Sequence, residues 1–389
     1  KPYFKNREQR VTTESRAAQR IANLAFQDLA RADSNEPMSN RVPDGDFGLR
    51  GPIGVRPLIG RDSEQQWLSE GLTQIAGGQA GHLFLLDAHP GMGRRQLLGW
   101  LTDTAKVEGR VQVVSFGHRR HAGEHCAGIR AILNELLGGT VNQVTAYAEL
   151  VRRVEKWGHS HGSSLLTEHL GPAALTHLVD FVYPDRAVGE ELGEDRLLVE
   201  DTIRDAGRTI GNLVALSSLN RPILFAVGDL QRLDAFSHTV VLEVASLLER
   251  HSLPVLLVIS HSSTGLPKKV EDVLTGLRAA TSKLQSKTLG ALKVVEIRRL
   301  LQQVAPLDDA VAEAVARRTD GNPYFATELV KFLKKRRDLD EYGGRLSLSA
   351  NANPSAWPDT LAETLVLRAS ATLTELPDGA FTEQLLRAC

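Results

Sequence analysis

Leu85-Leu86-Asp87-Ala88-His89-Pro90-Gly91-Met92-Gly93-Arg94-Arg95-Gln96-Leu97-Leu98 is the stretch on which the fold turns. It begins inside His82-Leu83-Phe84-Leu85-Leu86, a short apolar run bounded by turn formers, the pattern of a buried parallel strand. Pro90 and Gly91 make a tight turn, and a helix is expected from Arg94 to about Ala105. A strand that passes through a glycine turn directly into a helix aims backbone N–H groups and the positive helix end at one spot. That spot suits a phosphate.

Outward from this turn the same alternation continues. Val111 to Phe116, Pro222 to Val227 and Pro254 to Ile259 are further apolar runs, the last two separated by a helix from Phe236 to Arg250. Continuously apolar strands alternating with helices predict a parallel sheet covered on both faces. A helix is also expected from Asp62 through Gln74. The stretch from His125 to about Asn220 reads as mainly helical, with an irregular insert between Asp185 and Glu194. After about Leu289 strands are expected to stop. Helices run to Lys335, a polar loop spans Asp338 to Pro354, and a helical stretch starts at Asp359. At the other end, Val11 to Ala32 carries apolar residues at helical spacing, and Asp33 to Pro57 reads as a linker.

The chain has 389 residues, of which 42% are hydrophobic, enough for two or three packed domains. A formal net charge of -1 supplies no global field for nucleic acid or anionic membrane. Two cysteines, Cys126 and Cys389, exclude a disulfide framework and suit a reducing, cytoplasmic setting. No apolar run is long enough to cross a bilayer. The chain starts without Met and stops within an expected helix, Phe381 to Cys389, so it reads as a piece of a larger protein.

The phosphate-loop pattern is Gly, four residues, Gly, Lys, then Ser or Thr. Here those slots hold Ala88, Gly93, Arg94 and Arg95. One signature residue of four is kept, with Gly91 supporting the turn. An ordinary strand-to-helix turn explains that much equally well. In P-loop ATPases the strand opposite the loop ends in two acids, one organising Mg²⁺ and one polarising water. Here Phe225-Ala226-Val227 runs into Gly228-Asp229-Leu230, so only Asp229 remains. The loop hydroxyl and the strand acid that hold the metal are both gone, a severe loss for Mg²⁺. Arg94 and Arg95 are two cations at a helix N-terminus, each disfavoured there by about 0.3–1 kcal/mol unless an anion is present. Either the loop holds an anion, or these side chains reach an acidic partner.

Together the segments resemble the STAND branch of AAA+ ATPases, as fused to bacterial regulators, class III nucleotide cyclases and kinases. The resemblance starts at Leu58-Ile59-Gly60-Arg61-Asp62-Ser63-Glu64, similar to the family's hydrophobic-Gly-Arg-Glu box beside adenine. It continues through Pro90-Gly91-Met92-Gly93, then Arg221 to Leu230 with Asp234, then the strand from Leu253 to Ile259. Arg317-Arg318-Thr319-Asp320-Gly321-Asn322-Pro323-Tyr324-Phe325 resembles the box with which the helical lid closes the nucleotide pocket, and Glu328-Leu329 follows. Trp357-Pro358-Asp359-Thr360-Leu361 resembles the entry to a winged helix. The resemblance spans about Leu58 to Leu373, in the family's order.

It implies a three-layer α/β P-loop NTPase sheet, an all-α lid and the start of a winged-helix domain. The domains would be 1–57 (helix and linker), 58–288 (α/β), 289–345 (lid) and 346–389 (winged helix). ATP or ADP would lie against Ile59, Gly60, Arg61, Pro90, Gly91, Met92, Gly93, Arg94, Arg95 and Pro323, with Asp229 the residual catalytic acid. Departures concentrate at the chemistry: Ala88, Arg94, Arg95 and Gly228, with His261 and Ser263 where the family has a polar sensor and an Arg. Scaffold boxes surviving better than catalytic ones is the pattern of a pseudo-ATPase.

Other features have plainer readings. His118, His121, His125 and Cys126 are not spaced for one tetrahedral zinc centre, His159 and His161 fare no better, and a Cys126 nucleophile lacks an orienting partner. Metal ligands are therefore not assigned. The basic run Lys331 to Arg337 complements a helix C-terminus; contact with nucleic acid is the less favoured reading. Three functions stay open: a regulatory nucleotide-binding module, hydrolysis-deficient, coupling sensing to an effector or to assembly; a nucleotide-free scaffold for protein partners; and an active ATPase that recruits Mg²⁺ through substrate phosphates and water alone. Partners would be proteins or fused sensor and effector domains, or further copies in an oligomer, and not a membrane.

Overall fold

A computed structural model describes residues 58–116, 127–137, 148–152, 155–156, 170–182 and 196–375. The N-terminal helix and linker, the six residues His118, His121, His125, Cys126, His159 and His161, the insert after Asp185 and the stretch to Cys389 lie outside them. The chain divides into two compact units, Gly54–Gly290 and a second from Ala291 on.

In the first unit α1 (Asp62–Ala76) leads to β1 (Leu83–Ala88), α2 (Arg94–Glu108) and β2 (Gln112–Phe116). Helices α3 (Ala127–Leu137), α4 (Pro172–Val182) and α5 (Arg196–Asn220) follow, then β3 (Ile223–Val227) and α6 (Ala235–Arg250). β4 (Val255–Ser262), α7 (Lys268–Ala280) and β5 (Leu284–Thr288) complete the unit. The strands form one sheet in the order β2-β3-β4-β1-β5, and every pairing is parallel.

Period-two alternation assigns each strand's side chains to opposite faces. Phe84, Leu86, Val113, Leu224, Ala226, Leu256 and Val258 pack with Leu68 and Leu72 of α1 and with Leu97, Leu98 and Leu101 of α2. Leu83, Leu85, Val114, Phe225, Leu257 and Ile259 pack with α5, α6 and α7 through residues such as Leu213, Val241 and Leu277. The result is three layers, and β3 and β4 are buried along their whole length. β5 is different: its Leu-Gln-Ser-Lys-Thr sequence is half exposed at the sheet edge, and apolar periodicity did not announce it. No helix among the described residues is long and apolar enough to cross a membrane.

The second unit contains α8 (Val294–Val304), α9 (Asp309–Arg318), α10 (Pro323–Lys335) and α11 (Leu361–Glu375) around Ile297, Leu301, Val315, Phe325, Leu329 and Leu333. α10 starts as its sequence dictates: the Asn322 side chain accepts from the Phe325 N–H, and Pro323 takes the first turn, where no donor is needed. Before it, Gly321 has φ +73°, and a Cβ there would sit 2.2 Å from the Leu292 carbonyl oxygen. α10 and α11 are tied through Glu328, a buried carboxylate paired with Lys331 and Arg368.

One expectation fails here. Strands do not stop at Leu289, because the segment read as a polar loop folds into a hairpin, β6 (Leu339–Tyr342) against β7 (Arg345–Leu348). Gly343 and Gly344, both at positive φ, supply the two-residue turn. Leu339 and Leu346 bury themselves in the helical core, which outweighs the polarity of their neighbours.

Candidate functional site

Adjacent strands β1 and β4 send their chains to opposite faces: α2 follows β1 on one, α7 follows β4 on the other. A crevice opens at the carboxyl ends of such strands, and ligands of open α/β sheets bind there. The turn read from the sequence stands at this crevice. Gly91 and Gly93 both adopt positive φ, 87° and 91°, a conformation costly for any other residue type. Gly93 is the N-cap of α2 with no side chain capping it, and the first turn of the helix carries no acid. The first N–H groups of a helix have no partner within the helix, and here no side-chain cap takes them among the described residues. Within the loop the Met92 N–H donates to the His89 carbonyl at 3.3 Å.

Across the crevice the chain leaves β3 through Gly228, whose N–H is taken by the Phe116 carbonyl, and enters Asp229. Asp229 lies in the left-handed region at φ 50°, ψ 70°, tolerated by a short polar side chain, and its N–H donates to Ser260 Oγ at 3.0 Å. This positions the carboxylate over the start of α2. Arg94 reaches Oδ1 at 3.5 Å, Arg95 reaches Oδ2 at 3.4 Å, and Arg232 approaches Oδ2 at 3.7 Å. So the two loop arginines do reach an acidic partner, the second of the two outcomes that the sequence allowed. Burial holds the Arg94 guanidinium pKa below its ordinary value, Asp229 and Asp87 opposing the shift and Arg95 and Arg232 adding to it. Arg94 Nη1 is buried and has no hydrogen-bond partner among the described residues.

Both oxygens of Asp229 thus face guanidiniums. The metal that the P-loop pattern implies does not fit these residues. Mg²⁺ asks for near-octahedral oxygen ligation. Arg95 stands where the loop hydroxyl belongs, Gly228 where the first acid belongs, and the remaining carboxylate is surrounded by cations.

Arg61 is buried, and its Nη2 donates to the carbonyls of Met92 at 2.9 Å and Gly290 at 2.8 Å, while Nη1 faces Glu64 at 3.6 Å. It therefore braces the turn between β1 and α2 against Gly290, the last residue of the unit. Ile59 and Gly60 form the half-buried turn just before it. Pro323 belongs to the second unit, at the start of α10. His261 is buried with Nδ1 on the Ser262 carbonyl at 2.8 Å, and burial lowers its pKa. The Ser263 N–H donates to the Ala88 carbonyl, joining the ends of β4 and β1. A cavity of about 450 Å³ lies on the α7 side, lined by Asp87, His261, Ser262, Glu271 and Arg278. No residue of the turn from Pro90 to Arg95 lines it, so it is a neighbour of the crevice and not its centre. Among the described residues no group of three or more His, Cys, Asp or Glu is placed to hold a metal ion.

Arg232, Ser260 and Gly290 were not singled out from the sequence. Arg232 had a signal: it follows Asp229 by three residues on a short helical turn, the spacing of an ion pair.

Fold and site together define a parallel α/β domain with a glycine-containing strand-to-helix turn at its topological switch point. No protein-family model matches this sequence, and none of the curated proteins does. Solved structures resemble it. The Aeropyrum pernix Orc1 protein in complex with DNA is 17% identical, with 84% of this chain and 71% of that chain covered at a TM-score of 0.40. Drosophila ORC bound to DNA is 12% identical, with 94% and 76% covered at 0.42. Cdc6p from Pyrobaculum aerophilum is 12% identical, with 76% and 67% covered at 0.39. Likeness at this level concerns the path of the chain and carries nothing about its chemistry.

Proposed function

We propose that this chain is a regulatory nucleotide-binding module of AAA+ fold, STAND-like in organisation, that holds ATP or ADP without efficient hydrolysis. The observation that carries this reading is a split at one crevice. The phosphate turn keeps its left-handed glycines and its uncapped helix start, while the acid facing it is committed to Arg94, Arg95 and Arg232. The loop from Pro90 to Arg95 would hold the phosphates, and Ile59 and Gly60 would flank the base. Arg61 would hold the loop rather than the ligand. Protein partners or fused sensor and effector domains would read the bound state.

One observation favours a second reading, the nucleotide-free scaffold: Asp229 already supplies an anion to the loop arginines. The two readings separate on nucleotide itself. Denaturing extraction of the purified chain, followed by titration with millimolar ATP and ADP, should find bound nucleotide, and single-turnover incubation with γ-labelled ATP should release no phosphate. Absence of any bound or binding nucleotide would replace the module by the scaffold. Turnover at the rate of an ordinary ATPase would refute both.

A further inference from the structure

Three guanidiniums share one carboxylate at the start of α2, at 3.4 to 3.7 Å. Arg94 is the most enclosed of the three, and the N-terminus of α2 adds positive potential beside it. The Arg94 side chain is 11% exposed, and its Nη1 is shut off from water with no hydrogen-bond partner among the described residues. A buried charged donor without an acceptor marks a place where one is missing. The same crevice is hostile to a divalent cation, because the oxygen ligands that Mg²⁺ needs are replaced by Arg95 and Gly228 and the last one is ringed by cations.

We infer that Arg94, Arg95 and Arg232 together stand in for the divalent metal. They neutralise a polyphosphate directly, so the loop binds magnesium-free ATP, ADP or pyrophosphate in preference to their magnesium complexes. Asp229 is a built-in competitor that the incoming anion displaces from the guanidiniums. Arg232 is then a ligand-binding residue carried on the turn after β3, outside the phosphate loop. Guanidiniums suit this role because each presents a planar fork to phosphate oxygens and stays charged. Mg²⁺ removes two charges from the ligand and occupies the oxygens that the forks need, so it should weaken binding here, the reverse of an ordinary phosphate loop. This inference rests on the nucleotide-binding reading given above.

The test is calorimetric titration of the whole chain with ATP, ADP and inorganic pyrophosphate, in EDTA and in excess Mg²⁺. Binding should be about tenfold tighter in EDTA and should weaken as salt rises. Arg232→Gln should weaken it about tenfold, the worth of one charge-assisted hydrogen bond. Arg232→Lys, which keeps the charge and guards against misfolding, should fall between. Asp229→Asn should tighten binding about tenfold by removing the competitor. Binding that requires Mg²⁺, or is tightened by it, overturns the inference and leaves the nucleotide-binding reading standing. Unchanged affinity in Arg232→Gln, or weaker binding in Asp229→Asn, also overturns it. No binding by any probe in either buffer overturns both.

Discussion

Replacing Asp229 with alanine removes the carboxylate that Arg94, Arg95 and Arg232 share, and the cost can be worked from the distances. At 3.5 Å the Arg94 pair is worth about 4.7 kcal/mol of Coulomb energy at an effective dielectric of 20. That is a gross figure, since Arg94 also pays for its own burial. Breaking a fully buried pair costs about 3–5 kcal/mol, mostly because one charge is left unpaired. Arg94 keeps some water at 11% exposure, whereas Arg95 at 52% is screened and contributes almost nothing. A loss of about 2–3 kcal/mol remains, which at roughly 2–4 °C per kcal/mol lowers Tm by about 5–10 °C. Scanning calorimetry of wild type, Asp229→Ala and the exposed control Asp103→Ala would read it, with urea midpoints at unchanged m as a second measure. Pyrophosphate should recover most of the lost Tm by giving the arginines another anion. A variant within about 0.5 kcal/mol of wild type, the range of an ordinary surface change, would show that the cluster does not hold the crevice together.

Three further outcomes are expected. Gly321→Ala should destabilise the second unit by more than about 2 kcal/mol in denaturant titration, because the residue sits at φ +73° and its Cβ would collide with the Leu292 carbonyl. His238 is buried, its Nε2–H donates to the Leu230 carbonyl at 2.9 Å, and burial holds its pKa below the ordinary 6.5. A lowered folded-state value means that its contribution is present above about pH 6.5 and is lost as pH falls below it; Tm measured from pH 7.5 to 5 should fall less steeply in His238→Gln. Arg61→Lys should cost about 1–3 kcal/mol in denaturant titration, since one ammonium cannot replace both Nη2 on the Met92 and Gly290 carbonyls and Nη1 at Glu64.

The sheet was legible where burial was two-sided. β1 to β4 are mainly apolar, and their boundaries differ from the sequence reading by at most three residues at either end. β5 was invisible because an edge strand needs only one covered face, so Leu284-Gln285-Ser286-Lys287-Thr288 carries no apolar run. The β6–β7 hairpin was missed through attention to polarity over 338–354, although Gly343-Gly344 between Leu339 and Leu346 is hairpin chemistry. At the site, the loop slots and the lone Asp229 were readable from spacing, and so was the need of Arg94 and Arg95 for a negative partner. That the partner is Asp229 itself was not. The two ends lie more than a hundred residues apart, and only the insertion of β4 between β1 and β3 sets their distance.

The central claim is that the turn from β1 into α2 is built to receive a polyphosphate. Amide hydrogen exchange across residues 89–96, with and without ADP or pyrophosphate, tests it most directly. The account predicts slower exchange at Gly91, Gly93, Arg94 and Arg95 when the anion is added. Identical exchange there at saturating anion, or protection confined to other parts of the chain, would contradict it.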